Sequence, residues 1–257
     1  MRVLGSEKLN WTELQELRDQ QLKFVAQMCL GLAEIHDKDQ IHRDFKPLNI
    51  LLFKGSNDQF ISKIGDFDSS RNFNSNAGSG PNSLYGTKEY MSPDMYRWKR
   101  NQNGDLIKKI PYTSAVDVWA FGVTLYQLYT GYMPFEFKNL ISQSSEASVG
   151  FSDAHLNAPL SRRPSRCQQY SQDEHAKILI TLSNDEISRA FFKCPTIPDA
   201  VPFAIRKLIE DCLEWDPDQR PSIFKILSKP FIYGIVHKIT LKEQIYGPII
   251  GYGIIMK

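Results

Sequence analysis

The chain has 257 residues, 42% of them hydrophobic and 23% charged, with a formal net charge of +2. That length supports one large domain or two small ones with proper cores, and the near balance of charge gives nucleic-acid binding no compositional support. Four scattered cysteines (Cys29, Cys167, Cys194, Cys212) and five histidines in no ligand pattern point to free thiols in a reducing compartment rather than to disulfides or zinc.

The first residues do not resemble a signal peptide, because Met1–Gly5 gives way at once to charged and polar residues. The expected location is cytoplasmic, with the nucleus left open, and the sequon Asn10-Trp11-Thr12 is then idle. Leu22, Val25, Met28, Cys29, Leu32 and Ile35 recur at three- and four-residue intervals and predict an amphipathic helix over 20–37. Ile50–Phe53 and Phe60–Ile64, separated by the turn cluster Gly55–Asp58, predict a β-hairpin. The stretch between Asp68 and Leu84 is too polar and Gly-rich to bury much surface. Asp117 is a cap for a helix over 118–129 that is apolar nearly all round, with Gly131 as its stop.

Residues 138–185 are polar and irregular, an insert in which Arg162-Arg163-Pro164-Ser165 reads first as a solvated basic loop and second as a target of basic-directed kinases. Pro202–Trp215 predicts a third helix and Ser222–Leu227 a fourth, ended by Pro230. The apolar run Tyr246–Met256 is too short and too rich in Gly and Pro to span a membrane, and is read as a packed tail or a partner-binding strand. The fold class is α+β, mainly α: a helical bundle with a small β-hairpin at its active face.

The most specific signal is residues 41–49, Ile-His-Arg-Asp-Phe-Lys-Pro-Leu-Asn. It sets Asp44, Lys46 and Asn49 just ahead of an apolar strand. Immediately after the predicted hairpin stands Asp66-Phe67-Asp68, followed by Gly86-Thr87-Lys88-Glu89-Tyr90-Met91-Ser92-Pro93-Asp94, by Asp117–Gly122, and by Trp215-Asp216-Pro217-Asp218-Gln219-Arg220-Pro221. In order and spacing these motifs resemble the eukaryotic-type protein kinases, with the lysine at Lys46 similar to the serine/threonine branch.

The resemblance covers about residues 1–231 and implies a protein kinase-like C-lobe using ATP and Mg2+. It implies that Asp44 accepts the proton of a protein substrate's hydroxyl, that Lys46 steadies the phosphoryl group, and that Asn49 and Asp66 hold magnesium. Thr87 joins this catalytic set, and Asp94 and Arg220 would be a buried ion pair fixing the substrate loop, the Asp reaching further than the usual Glu. His42 and Phe67 would be the stack linking the metal loop to the central helix that starts at Asp117. Arg43 would receive a phosphate carried by Ser83, with Ser79 second.

The implied boundaries are a hinge remnant over 1–9, an activation loop over 66–94, the insert over about 138–185 and a tail over 232–257. No Gly-x-Gly-x-x-Gly and no Val-Ala-x-Lys precede the catalytic loop, so the chain is expected to begin where a kinase's small lobe would end. Two functions fit that expectation: an ATP-dependent serine/threonine kinase, or a lobe-only pseudokinase acting as a binding or scaffold module. A partner protein or a second copy would then cover the face a small lobe would cover. Asp68 stands where the family has Gly, at an expected cost of about 1 kcal/mol if it takes positive φ.

Overall fold

The computed structural model describes residues 11–54, 60–72, 86–100, 106–109, 112–137, 182 and 185–246. The expected hinge remnant, Ser79, Ser83, nearly all of the 138–185 insert and residues 247–257 lie outside them. The described part is mainly helical, with three two-stranded antiparallel sheets.

Helix α1 (Trp11–Asp37) buries Val25, Met28, Cys29, Leu32 and Ile35, the positions that the three-and-four spacing singles out. It begins nine residues earlier than that spacing predicts. The added turns are Glu-, Leu- and Gln-rich and mostly exposed, so helix propensity rather than burial extends it. Strand β1 (Gln40–Ile41) leads into the 41–49 loop, which closes in a single 3-10 turn over Pro47–Asn49. Strands β2 (Ile50–Lys54) and β3 (Phe60–Ile64) then form the predicted hairpin, in the register Ile50 opposite Ile64 and Phe53 opposite Ile61. β3 packs on α1, where Gln27 Oε1 accepts from Ser62 N at 2.9 Å. Strand β4 (Arg71–Asn72) returns to pair with β1.

A second hairpin, β5 (Trp98–Arg100) with β6 (Leu106–Lys109), is absent from the sequence reading. Helix α2 (Ala115–Thr130) is buried from Val116 to Tyr126. It ends at Gly131 in the left-handed region, φ 74°, where the Gly131 N–H caps the Gln127 carbonyl at 2.8 Å. Its start corrects the expectation for Asp117. Ser114 is the N-cap residue and Asp117 lies inside the first turn, because its carboxylate is engaged with the catalytic loop instead. Trp119 of α2 stacks on Phe135 at 5.3 Å, and Phe192 meets both rings edge-on.

Helices α3 (Asp185–Phe191), α4 (Phe203–Cys212) and α5 (Ile223–Leu227) follow. α4 is shorter than the predicted Pro202–Trp215, and Ser222 caps α5 by accepting from Lys225 N. The helix ahead of Pro230 ends at Leu227 as expected, but Pro230 also opens helix α6 (Pro230–Tyr246), which crosses the expected 231/232 boundary. Proline suits a first helical turn, where its missing N–H has no partner to lose. Among the described residues no helix is long and apolar enough to cross a membrane.

Candidate active site

The foundation of the site is the fully buried carboxylate of Asp117. Its Oδ2 accepts from the His42 amide at 2.8 Å and from His36 Nε2 at 2.9 Å, and its Oδ1 accepts from the Arg43 amide at 2.8 Å. Burial by itself would raise the Asp117 pKa, but the His36 hydrogen bond and charge, the charge of His42 and the His42 amide together hold the carboxyl below its ordinary value. The two amide bonds pin a backbone that Arg43 takes through the left-handed region at φ 68°, a conformation costing a non-glycine residue about 1–3 kcal/mol. Asp44 follows directly on that turn.

Asp44 is held through both oxygens. Oδ1 accepts from the Thr87 amide and from Thr87 Oγ1, each at 2.8 Å. Oδ2 accepts from Lys46 Nζ at 2.7 Å and from Asn49 Nδ2 at 3.1 Å, and Asn49 Nδ2 also donates to the Asp44 carbonyl at 2.8 Å. Lys46 Nζ donates to Thr87 Oγ1 as well. Asp44, Lys46, Asn49 and Thr87, drawn from two segments 41 positions apart, therefore form one cluster. A carboxylate fixed this way beside a lysine can orient a hydroxyl and take its proton while the ammonium stabilises negative charge next to it.

The hairpin brings the Asp66 segment to the same cluster, since the Gly65 amide donates to the Asn49 carbonyl at 2.8 Å. His42, fully buried, ties the two together. Its Nε2 donates to the Gly65 carbonyl at 3.0 Å, its Nδ1 accepts from the Asp44 amide at 3.3 Å, and its ring meets Phe67 edge-on at 5.1 Å. The positive φ belongs to Asp66, at 63°, and not to Asp68, which sits in the 3-10 turn Phe67–Ser69. The strain expected of Asp68 is thus carried two residues earlier.

Asp66 is exposed, and the Oδ1 carbonyl of Asn49 accepts no hydrogen bond among the described residues, its amide nitrogen being spent on Asp44. One carboxylate and one amide oxygen fit a magnesium ion that keeps water and phosphate oxygens as its other ligands. Among the described residues no three His, Cys, Asp or Glu side chains gather to hold a metal by themselves.

Arg43 is buried. Its Nε donates to the Ser69 carbonyl and its Nη1 to the Tyr112 hydroxyl at 3.3 Å, while Ser83 lies outside the described residues. Asp94 and Arg220 form a separate buried ion pair, Nη2 to Oδ1 at 2.7 Å. The shorter Asp does reach, but with one oxygen only, because Asp94 Oδ2 is buried without a hydrogen-bond partner. Arg220 also donates to the carbonyls of Glu214 (2.7 Å), Ala115 (3.0 Å) and Trp215 (3.2 Å) and lies over the Trp119 ring at 4.9 Å.

Sequence reasoning misses His36 and Tyr112, which carry no local signal, and the reason for Gly86. That glycine, at φ 110°, passes so close to the Arg43 carbonyl that a Cβ would lie 2.3 Å from its oxygen. Cys29, Cys194 and Cys212 are free. Burial pushes all three thiols up, Cys194 to about 12, so none of the three is a nucleophile.

A family model described as the protein kinase domain matches residues 7–232. The human serine/threonine-protein kinase Nek5 is 29% identical over 227 residues, spanning 88% of this chain and 24% of Nek5. The mitogen-activated protein kinase pmk-1 of Caenorhabditis elegans is 28% identical over 234 residues, 90% of this chain and 53% of pmk-1. The chain therefore spans about a quarter of one relative's length and about half of the other's. The matched span contains the Asp44 cluster, the Asp66 turn, the Asp117 anchor and the Asp94–Arg220 pair, and on that span the chain belongs to the eukaryotic-type protein kinase family.

Proposed function

We propose that this protein transfers the γ-phosphoryl group of ATP to a serine or threonine hydroxyl of a protein substrate. The observation that carries the reading is the single cluster of Asp44, Lys46, Asn49 and Thr87, with both Asp44 oxygens engaged. Asp44 would orient the acceptor hydroxyl and take its proton at a carboxylate oxygen. Lys46 would steady the transferred group, and Thr87 keeps Asp44 from rotating. Asn49 Oδ1 and the Asp66 carboxylate would hold Mg2+, which would supply positive charge to offset that of the ATP phosphates.

In this reading residues 1–231 form the large lobe of a kinase domain, with 1–9 as the hinge remnant, 66–94 as its activation loop, about 138–185 as its insert and 232–257 as a tail. A phosphate on Ser83 read by Arg43 belongs to the same proposal, supported by the contact of Arg43 with the Ser69 carbonyl at the head of that loop.

Radiolabelled phosphate transfer to protein acceptors tests the assignment. Asp44→Asn should lower the turnover about 10²–10⁴-fold with the circular dichroism unchanged, and undiminished transfer would overturn it. A scaffold that docks proteins without transfer is the second reading. Calorimetric titration with Mg-ATP separates the two, since low-micromolar binding by the chain is incompatible with the scaffold alone.

A further inference from the structure

Residues 97–109 carry Arg97, Lys99, Arg100, Lys108 and Lys109 against Asp105 alone, whereas the excess over the whole chain is only +2. Positive charge is thus concentrated in one short segment, and the rest of the chain is net acidic. The segment contains the β5–β6 hairpin, whose register sets Lys99 opposite Lys108 and Trp98 opposite Lys109.

At the base of the hairpin a second, independent feature points the same way. The Arg97 guanidinium lies 4.3 Å from the Trp215 ring centre, and the Arg189 guanidinium, from α3, lies 4.6 Å from a Trp215 ring centre. Neither guanidinium has an ion-pair or hydrogen-bond partner among the described residues. Each presents up to five N–H donors in a planar fork, and the aromatic face holds both cations without neutralising either. Arg189 is exposed, with Arg97 and Trp215 half-buried. The patch is also tied to the substrate-loop anchor: the Arg97 amide donates to the Asp94 carbonyl at 3.3 Å, and Arg220 Nη2 bridges the Trp215 carbonyl and Asp94.

We propose that this patch docks an acidic, phosphate-bearing segment of a protein partner, with Arg97 and Arg189 receiving the phosphate and the net positive charge of residues 97–109 favouring carboxylates beside it. Paired guanidinium forks suit a phosphate monoester, and clustered arginines are a recurring means of reading phosphorylated motifs. A nucleic-acid strand fits less well, since its phosphates would run on from thirteen basic-rich residues onto a net acidic chain.

The test is fluorescence anisotropy with a labelled Glu-Glu-phosphoserine-Glu-Glu peptide, at about 50 and 200 mM salt. Saturable binding that weakens with salt, and that falls about tenfold on removal of the phosphate, is the expected result. Arg97→Gln with Arg189→Gln should weaken binding by at least about tenfold, and so should the exposed Arg189→Gln alone to a smaller extent, at unchanged melting temperature. Lys99→Gln with Lys108→Gln should lower the salt dependence. The Asp44→Asn protein should bind the peptide as the unmodified chain does, which separates docking from phosphate transfer. The proposal is overturned by no saturable binding, by equal binding in the arginine variants, by loss of binding in Asp44→Asn, or by tighter binding of a single-stranded RNA of equal charge.

Discussion

At Gly86 the backbone holds φ 110° with the Arg43 carbonyl where a Cβ would go, and the next residue supplies two of the four hydrogen bonds to the Asp44 carboxylate. Gly86→Ala is therefore expected to cost about 1–3 kcal/mol in urea unfolding and to reduce phosphate transfer by more than that loss of fold accounts for. Equal stability and equal transfer would show that the loop has room to shift. Asp117 gives a prediction in pH. Burial raises its pKa, yet the histidine contacts and amides outweigh burial and leave the folded value depressed. A depressed carboxyl contributes stability above its unfolded value, near pH 4, and loses it as pH falls through the folded value. Urea midpoints measured from neutral to acidic pH should show that acid limb in the unmodified protein and a flatter one in Asp117→Asn. The variant should also be about 2–5 kcal/mol less stable at neutral pH. Identical acid limbs would remove Asp117 from the account.

Helix α2 meets α4 at Gly122, where a Cβ would lie 2.7 Å from the Cys212 Cβ and 3.1 Å from Leu213. Alanine is the better helix former by about 1 kcal/mol, but the contact is with the start of a buried side chain that cannot swing aside. Gly122→Ala should be net destabilising by about 1–3 kcal/mol, and a rise in melting temperature would contradict the packing described. How far these elements were legible follows from what each depends on. The β2–β3 hairpin and the buried stripe of α1 follow from alternation and from three-and-four spacing, and both appear as read. The start of α2 does not, because Asp117 is spent on a loop 74 positions away and no local rule encodes that use. Pro230 breaks one helix and opens another, two roles that a proline plays equally well. The β5–β6 hairpin carried a signal, Asn103-Gly104 between two short strand-like runs, that the stronger neighbouring motifs concealed. At the site, the cluster around Asp44 was legible because its residues sit in short ordered motifs, whereas His36 and Tyr112 join it only through the tertiary fold.

Across the molecule, Arg220 connects Asp94, Ala115, Trp119, Glu214 and Trp215, joining the substrate loop to α2 and to the segment after α4. Arg220→Lys keeps the charge but loses the fork, and leaves buried carbonyls and Asp94 without donors. A loss of about 2–4 kcal/mol in urea unfolding is expected, and a loss under half that would mean that the fork is not the fastener. The β2–β3 hairpin raises a different question, because β2 pairs with β3 alone among the described strands and Leu51, Leu52, Phe53 and Phe60 are all exposed. A short sheet with an apolar surface and an open edge is prone to pair with another chain. The purified chain is therefore expected to self-associate through this hairpin and to bind a hydrophobic dye, with sedimentation velocity as the measurement. Leu52→Lys with Phe53→Lys places charge on both faces of β2, as strands alternate, and should shift the population to monomer without lowering the melting temperature. A monodisperse monomer that binds no dye before any substitution would show that these side chains cover one another well enough to stay apart.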